Sequence, residues 1–165
     1  MKEPFMKTVL VVVATTACLW SLAGRAADKL ANSEVPDAVR AAVSKAYPDA
    51  ASCVFERERR GAAVQYEAEF EIKEGDKTRR LSVEVSSQGV ILAEEEQLRF
   101  EELPAPVKEA HRSSRFSKAT VMGVERLTRD GKTSYEVQVR TARGLREIVY
   151  DERGAVPDAG NGPVR

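Results

Sequence analysis

The chain has 165 residues, with 26 basic and 26 acidic side chains, one histidine and two cysteines. That balance gives no electrostatic case for a nucleic-acid binder, which needs a concentrated basic face. So few histidines and cysteines leave no cluster for a structural zinc site, and no glycine-rich loop follows a strand to cradle a phosphate.

Residues 1–26 read as a secretory signal peptide. Lys2 and Lys7 supply a positive start, Thr8 to Ala23 is uncharged and apolar, and small residues follow around Ala23 and Ala26. The run is short for a membrane span of about 20 apolar residues, so no stable span is expected after cleavage. A lipoprotein would be modified at Cys18, but Thr15 stands where a large aliphatic residue belongs. Cleavage after Ala26 removes Lys2, Lys7, Arg25 and Glu3 and leaves a slightly acidic chain. It keeps one cysteine, Cys53, so no internal disulfide can form. Cys53 sits in a strand pattern beside Val54 and Phe55 and reads as a small buried hydrophobe, the alternative being a redox or intermolecular thiol.

Residues 27–34 form a polar lead-in, and a first unit spans 35–96. Val35, Val39, Ala42, Val43 and Ala46 recur at helical spacing, and Pro36 suits the first turn. Pro48 disfavours helix at Tyr47 and ends the element. Strands are expected over Ser52 to Glu58, Val64 to Ile72, Arg80 to Val85 and from Val90. The clearest is Val64-Gln65-Tyr66-Glu67-Ala68-Glu69-Phe70, which alternates polar and apolar, the period of a half-buried strand.

Residues 97–102 read as a linker, and the plan restarts over 103–157. Leu103-Pro104-Ala105-Pro106-Val107 repeats the grammar of Val35-Pro36-Asp37-Ala38-Val39, although His111 and Ser114 fall on the apolar side of this second helix. Strands are expected over Val121 to Leu127, Ser134 to Arg140 and Arg146 to Asp151, with a short fourth beginning at Ala155-Val156. Asp130-Gly131 signals a two-residue hairpin. Tyr135 lies 69 residues after Tyr66 in the matching strand. Residues 158–165, rich in Gly and Pro, read as a disordered tail. The fold class expected is α+β: two tandem repeats, each one helix followed by a four-stranded antiparallel meander, with the helices covering one sheet face.

The order Val35-Pro36 to Tyr47-Pro48, Val64-Gln65-Tyr66-Glu67 and Ser87-Gln88-Gly89-Val90, echoed in Leu103-Pro104, Ser134-Tyr135-Glu136-Val137 and Tyr150-Asp151-Glu152-Arg153-Gly154, resembles the PepSY-like family, also described as similar to beta-lactamase inhibitory protein. The resemblance covers about residues 35 to 157. It implies an exported bacterial protein, periplasmic or secreted, without enzyme activity or cofactor, that restrains a peptidase or other hydrolase of the envelope or serves as a binding module. The inhibitor's gripping face is aromatic-rich. Here the outward positions are polar, so inhibition of a beta-lactamase in particular is not implied.

The candidate partner-binding face, expected to be exposed, comprises Gln65, Glu67, Glu69, Glu84, Glu136, Gln138 and Arg140. The row Glu67, Glu69, Glu71, close to Glu84, has the oxygen chemistry that hard cations take. That makes a periplasmic cation or small-ligand sensor the alternative function, although the row reads first as a solvated sheet face. Arg79, Arg80 and Arg57 to Arg60 can neutralise it across strands. No nucleophile-elbow pattern accompanies His111, so no catalytic set is expected, and a partly buried or capping role is expected for that histidine.

Overall fold

A computed structural model describes residues 29–60 and 63–157. The signal-peptide reading of residues 1–26 and the tail reading of residues 158–165 lie outside the described residues. Strand β1 (Lys29–Leu30) is followed by helix α1 (Asp37–Ala46) and by β2 (Ala51–Arg60), β3 (Ala63–Glu74), β4 (Lys77–Ser86) and β5 (Ile91–Gln97). Helix α2 (Ala105–Ser113) then leads into β6 (Thr120–Arg129), β7 (Lys132–Thr141) and β8 (Gly144–Asp151). All eight strands form one antiparallel sheet in the order of the sequence.

This corrects the expectation of two repeats, each a helix with a four-stranded meander. The sheet is continuous, because β5 pairs with β6, Ala93 opposite Arg129 and Gln97 opposite Glu125. The helix α2 is followed by three strands. Ala155-Val156, expected to begin a fourth, is not a strand. Pro157 follows directly and has no N–H to give to a ladder. The lead-in contributes the short β1, which pairs with Glu56 and Phe55 at the edge of β2.

Both helices lie on one face. In α1, Val39 and Val43 are buried, with Val35 just before the helix, and they pack on Phe55, Ala68, Phe70, Leu81, Val83 and Val85. Cys53 is half-buried against this cluster, and burial raises its thiol pKa. In α2, Val107 packs with Leu103 on Val124, Val137, Val139, Ile148 and Tyr150. Each helix starts at a proline whose carbonyl accepts the first helical bond, Arg40 N to Pro36 O at 3.2 Å and Lys108 N to Pro104 O at 3.0 Å. The proline loses nothing there, since the first N–H groups of a helix have no internal partner.

Asp130-Gly131 makes the expected hairpin, both residues taking positive φ. Two other turns hold the helices against the sheet. Gly89, after β4, has φ +81° and lies so close to α1 that a Cβ would come within 2.5 Å of the Ala38 carbonyl oxygen. Gly154, after β8, has φ +82° and stands in the same relation to Pro106 of α2, at 2.6 Å. Only glycine fits either position.

Between the two apolar clusters the helix-covered face is ionic. Glu96 of β5 accepts from Arg79 of β4, Nε at 2.7 Å and Nη2 at 3.0 Å, and also from Arg126 of β6. Arg79 reaches Glu74 as well, at 2.9 Å. Tyr47 packs at a tilt against Phe70 and donates its hydroxyl to Glu94, and burial and this carboxylate raise its pKa. The two halves of the sheet thus meet across charge-assisted bonds rather than through a shared apolar core.

Candidate functional site

Strand alternation sends every second side chain to the other face, where no described element covers the sheet. The register defines its rows. One runs Glu56, Glu67, Glu84, Ala93, Arg129 across five strands. The next runs Val54, Glu69, Ser82, Glu95, Leu127, Ser134, Asp151. In the second half, Glu125 lies opposite Glu136, Glu136 opposite Val149, and Gln138 opposite Glu147.

All seven residues read from the sequence as the candidate face lie on this side, but they differ in depth. Glu67, Glu84 and Glu136 are buried, at 7%, 4% and 7% exposure. Gln65, Glu69 and Gln138 are half-buried, and Arg140 is exposed. A sheet face expected to be solvated therefore holds carboxyls packed under their neighbours. Sequence reasoning missed Glu125 and Glu147, which the register brings beside Glu136, and Ser82, Glu95 and Arg129. The alternation of Gly123-Val124-Glu125 and Arg146-Glu147-Ile148 carries the side they face. Nothing local carries their company.

Arg129 donates to Glu84 at 2.9 Å, and Ser82 Oγ donates to Glu67 at 2.5 Å. Arg80 reaches Glu71 across the hairpin at 2.9 Å, the cross-strand neutralisation expected of it. Arg79 faces the other way, into the ionic junction.

Five carboxyls on this face, those of Glu67, Glu69, Glu125, Glu136 and Glu147, hold their protons more tightly than usual. Burial raises Glu67 first, opposed by the Ser82 bond and reinforced by Glu69, Glu58 and Glu56. Glu69 rises through burial and the charge of Glu56. Glu125 is pushed up to about 7 by burial, then by Glu147 and Glu67. Glu136 is raised by burial and by Glu147 and Glu125, with Arg129 opposing. Glu147 is raised by burial, and its bond with Glu136 opposes the rise. Like charges gathered away from water disfavour joint ionisation.

Near the bulge in β2, a depression of about 510 Å³ is lined in part by Ser52, Val54, Glu69, Glu71 and Lys73. Among the described residues no group of three carboxylates, histidines or cysteines is placed to hold a metal ion. No described helix is long and apolar enough to cross a membrane. His111 is buried on the opposite face, 3.1 Å from the Tyr150 hydroxyl and edge-on to Phe100, and burial lowers its pKa. It is a core side chain of the second half, remote from the carboxyl rows.

The family model described as "Putative beta-lactamase-inhibitor-like, PepSY-like" matches the chain twice, over residues 16–93 and 81–157, consistent with two tandem copies. The chain is a PepSY-like protein. Solved structures share its fold. One, described as a putative periplasmic protein from Bacteroides eggerthii, is 23% identical and superposes with a TM-score of 0.66 over 77% of this chain and 88% of that one. A BLIP-like protein from Bacteroides fragilis is 24% identical, with a TM-score of 0.60 over 79% of this chain and 91% of that one. No curated protein matches. The overlap of the two matches falls on residues 81–93, which run from β4 through the Gly89 turn into the start of β5.

Proposed function

We propose that this PepSY-like protein is an exported, non-enzymatic binding module of the periplasm, and that a partner docks on the helix-free face of its sheet. One observation carries the reading: eight strands present a face that no described element covers, and it gathers Glu67, Glu69, Glu125, Glu136 and Glu147 closely enough, and far enough from water, to raise their proton affinity. A positive group brought against such a face relieves repulsion that the fold itself leaves in place. The partner surface is therefore basic, and contact spreads over Gln65, Glu67, Glu69, Glu84, Glu136, Gln138 and Arg140.

The inhibitor-like description of the family and the BLIP-like neighbour support restraint of a hydrolase, peptidases included, as the role. The neighbour described as periplasmic supports the compartment. The named rows contain no aromatic side chain, whereas interface hot spots favour Trp, Tyr and Arg. Charge complementarity is the recognition this face offers instead.

Retention of an envelope hydrolase on immobilised protein tests the reading. Glu69→Lys with Glu71→Lys, both at positions with some solvent access, should abolish retention, and Lys45→Glu on α1 should leave it intact. Retention unchanged by the first pair, or lost with the α1 variant, sinks this face as the site.

A further inference from the structure

At the start of β2 the ladder with β3 is broken. Ala51 pairs with Glu71 and Val54 with Glu69, so Ser52 and Cys53 together oppose Phe70. Such a bulge bends its strand and re-aims side chains. Ser52 takes φ +53° to make it, a conformation that serine adopts only at a cost. The depression of about 510 Å³ lies here, and ligand pockets fall in the range of roughly 300–1,000 Å³. Every residue lining it is described. Lys29, the first described residue, lies opposite Glu56, with Leu30 nearer the bulge. The β2–β3 turn sits at the far end of both strands, and β8 is six strands away.

The lining is unevenly charged. Asp49, Glu69 and Glu71 bring three carboxyls and Lys73 one amine. Asp49 and Lys73 are exposed, whereas Glu69 is half-buried opposite Val54. Among the described residues no hydrogen bond or ion pair holds the Glu69 carboxyl; Lys29 acts on it through charge alone, against burial and Glu56. Glu71 gives Oε1 to Arg80 at 2.9 Å, but both side chains are about half exposed, and such pairs contribute little. The second half shows that the bulge itself needs no carboxyls. β6 is bulged against β7 between Val121 and Gly123. Lys118, Gln138 and Arg140 stand 69 residues after Asp49, Glu69 and Glu71, and neither Val121, Met122 nor Gly123 has a positive φ. The anionic lining belongs to the first half and not to the repeated pattern.

We propose that this depression anchors the docking face by taking the guanidinium of an arginine on the partner, bridged between Glu69 and Glu71 with its aliphatic stem against Val54. The inference rests on the reading that a partner docks on this side of the sheet. Glu69 and Glu71 are two residues apart on one strand, so their side chains leave the same face about 6.6 Å apart. A planar guanidinium carries donors on separate edges and can engage both carboxyls at once. An ammonium is a compact, more strongly hydrated charge and gives up more on leaving water beside Val54. Asp49 adds negative charge at the rim, and Lys73 stays in solvent on its flexible stem.

Nuclear magnetic resonance titration of the unaltered protein with N-acetyl-arginine amide tests the anchor directly. A lone arginine forgoes the rest of the interface, so a Kd of about 1–50 mM is expected. Shifts should concentrate on the amides of Ser52–Val54 and Glu69–Glu71. The citrulline analogue keeps the shape and loses the charge, and should leave them unmoved. The lysine analogue should bind at least about threefold more weakly. Glu69→Gln with Glu71→Gln should weaken arginine binding at least about tenfold. Should that variant not fold, the comparison of the three amides on the unaltered chain decides alone. No shift, shifts spread evenly over the carboxyl rows, or an equal response to arginine and either analogue overturns the anchor, while the docking face itself stands or falls on retention of the hydrolase. Self-association of the unaltered protein that Arg140→Glu abolishes also overturns it, because a second copy would then fill the depression.

Discussion

Glu125→Gln tests whether the carboxyl rows are under electrostatic stress. In the folded chain the Glu125 pKa stands at about 7, against 4.5 for an ordinary glutamate. A carboxyl raised in this way binds its proton better folded than unfolded. Its contribution to stability is complete below about pH 4.5 and is lost as pH rises through about 7. At 1.36 kcal/mol for each tenfold change in proton affinity, the loss from this group by about pH 8 is roughly 3 kcal/mol. Glutamine keeps the shape and cannot ionise. Urea unfolding of both proteins at about pH 5 and about pH 8 should show the variant gaining on the parent as pH rises, by a few kcal/mol. His111 is common to both chains, so its titration cancels in the difference. A gap between the proteins that does not change with pH would falsify the claim that Glu125 is crowded and desolvated.

Three further outcomes follow from the same structure. Gly89→Ala and Gly154→Ala should each lower stability by about 1–3 kcal/mol, since each Cβ meets a helix carbonyl at a strained φ; an unchanged melting temperature contradicts the close approach. Glu96→Ala strands two arginines at the junction of the sheet and should cost about 1–3 kcal/mol in chemical denaturation, with Arg79→Ala adding little in the double variant; fully additive losses would argue against the shared carboxylate. Burial lowers His111, so its contribution is present above about pH 6.5 and is lost as pH falls toward the depressed value. His111→Leu should reduce the acid sensitivity of unfolding, and a steeper acid loss in the variant would contradict a neutral buried imidazole.

Much of this architecture is written in local pattern. Alternation in Val64–Ile72 and Ser134–Arg140 marks two strands and correctly assigns their sides, and Asp130-Gly131 sets a hairpin register. Val35, Val39 and Val43 mark the buried stripe of α1. The continuous sheet is harder to read, because the join depends on β5 meeting β6 some thirty residues later, Glu96 opposite Arg126. Residues 94–102 look like the acidic end of a strand running into a linker and carry no local sign of that pairing. The expected fourth strand after Gly154 fails at one residue, Pro157. At the candidate site, alternation tells which side Glu67, Glu84 and Glu136 face but not how deeply they lie. Depth comes from neighbours on other strands, and the union of Glu125, Glu136 and Glu147 exists only once three strands are in register.

The most direct test of the account asks which surface a partner touches in the living envelope. A photoreactive residue is placed at Gln138 on the helix-free face, or at Arg112 on the outer side of α2, and covalent adducts are compared after irradiation. Adducts from position 138 and none from position 112 are the predicted result. The reverse pattern would contradict the claim that the uncovered, carboxyl-rich side of the sheet is where this PepSY-like protein meets its partner.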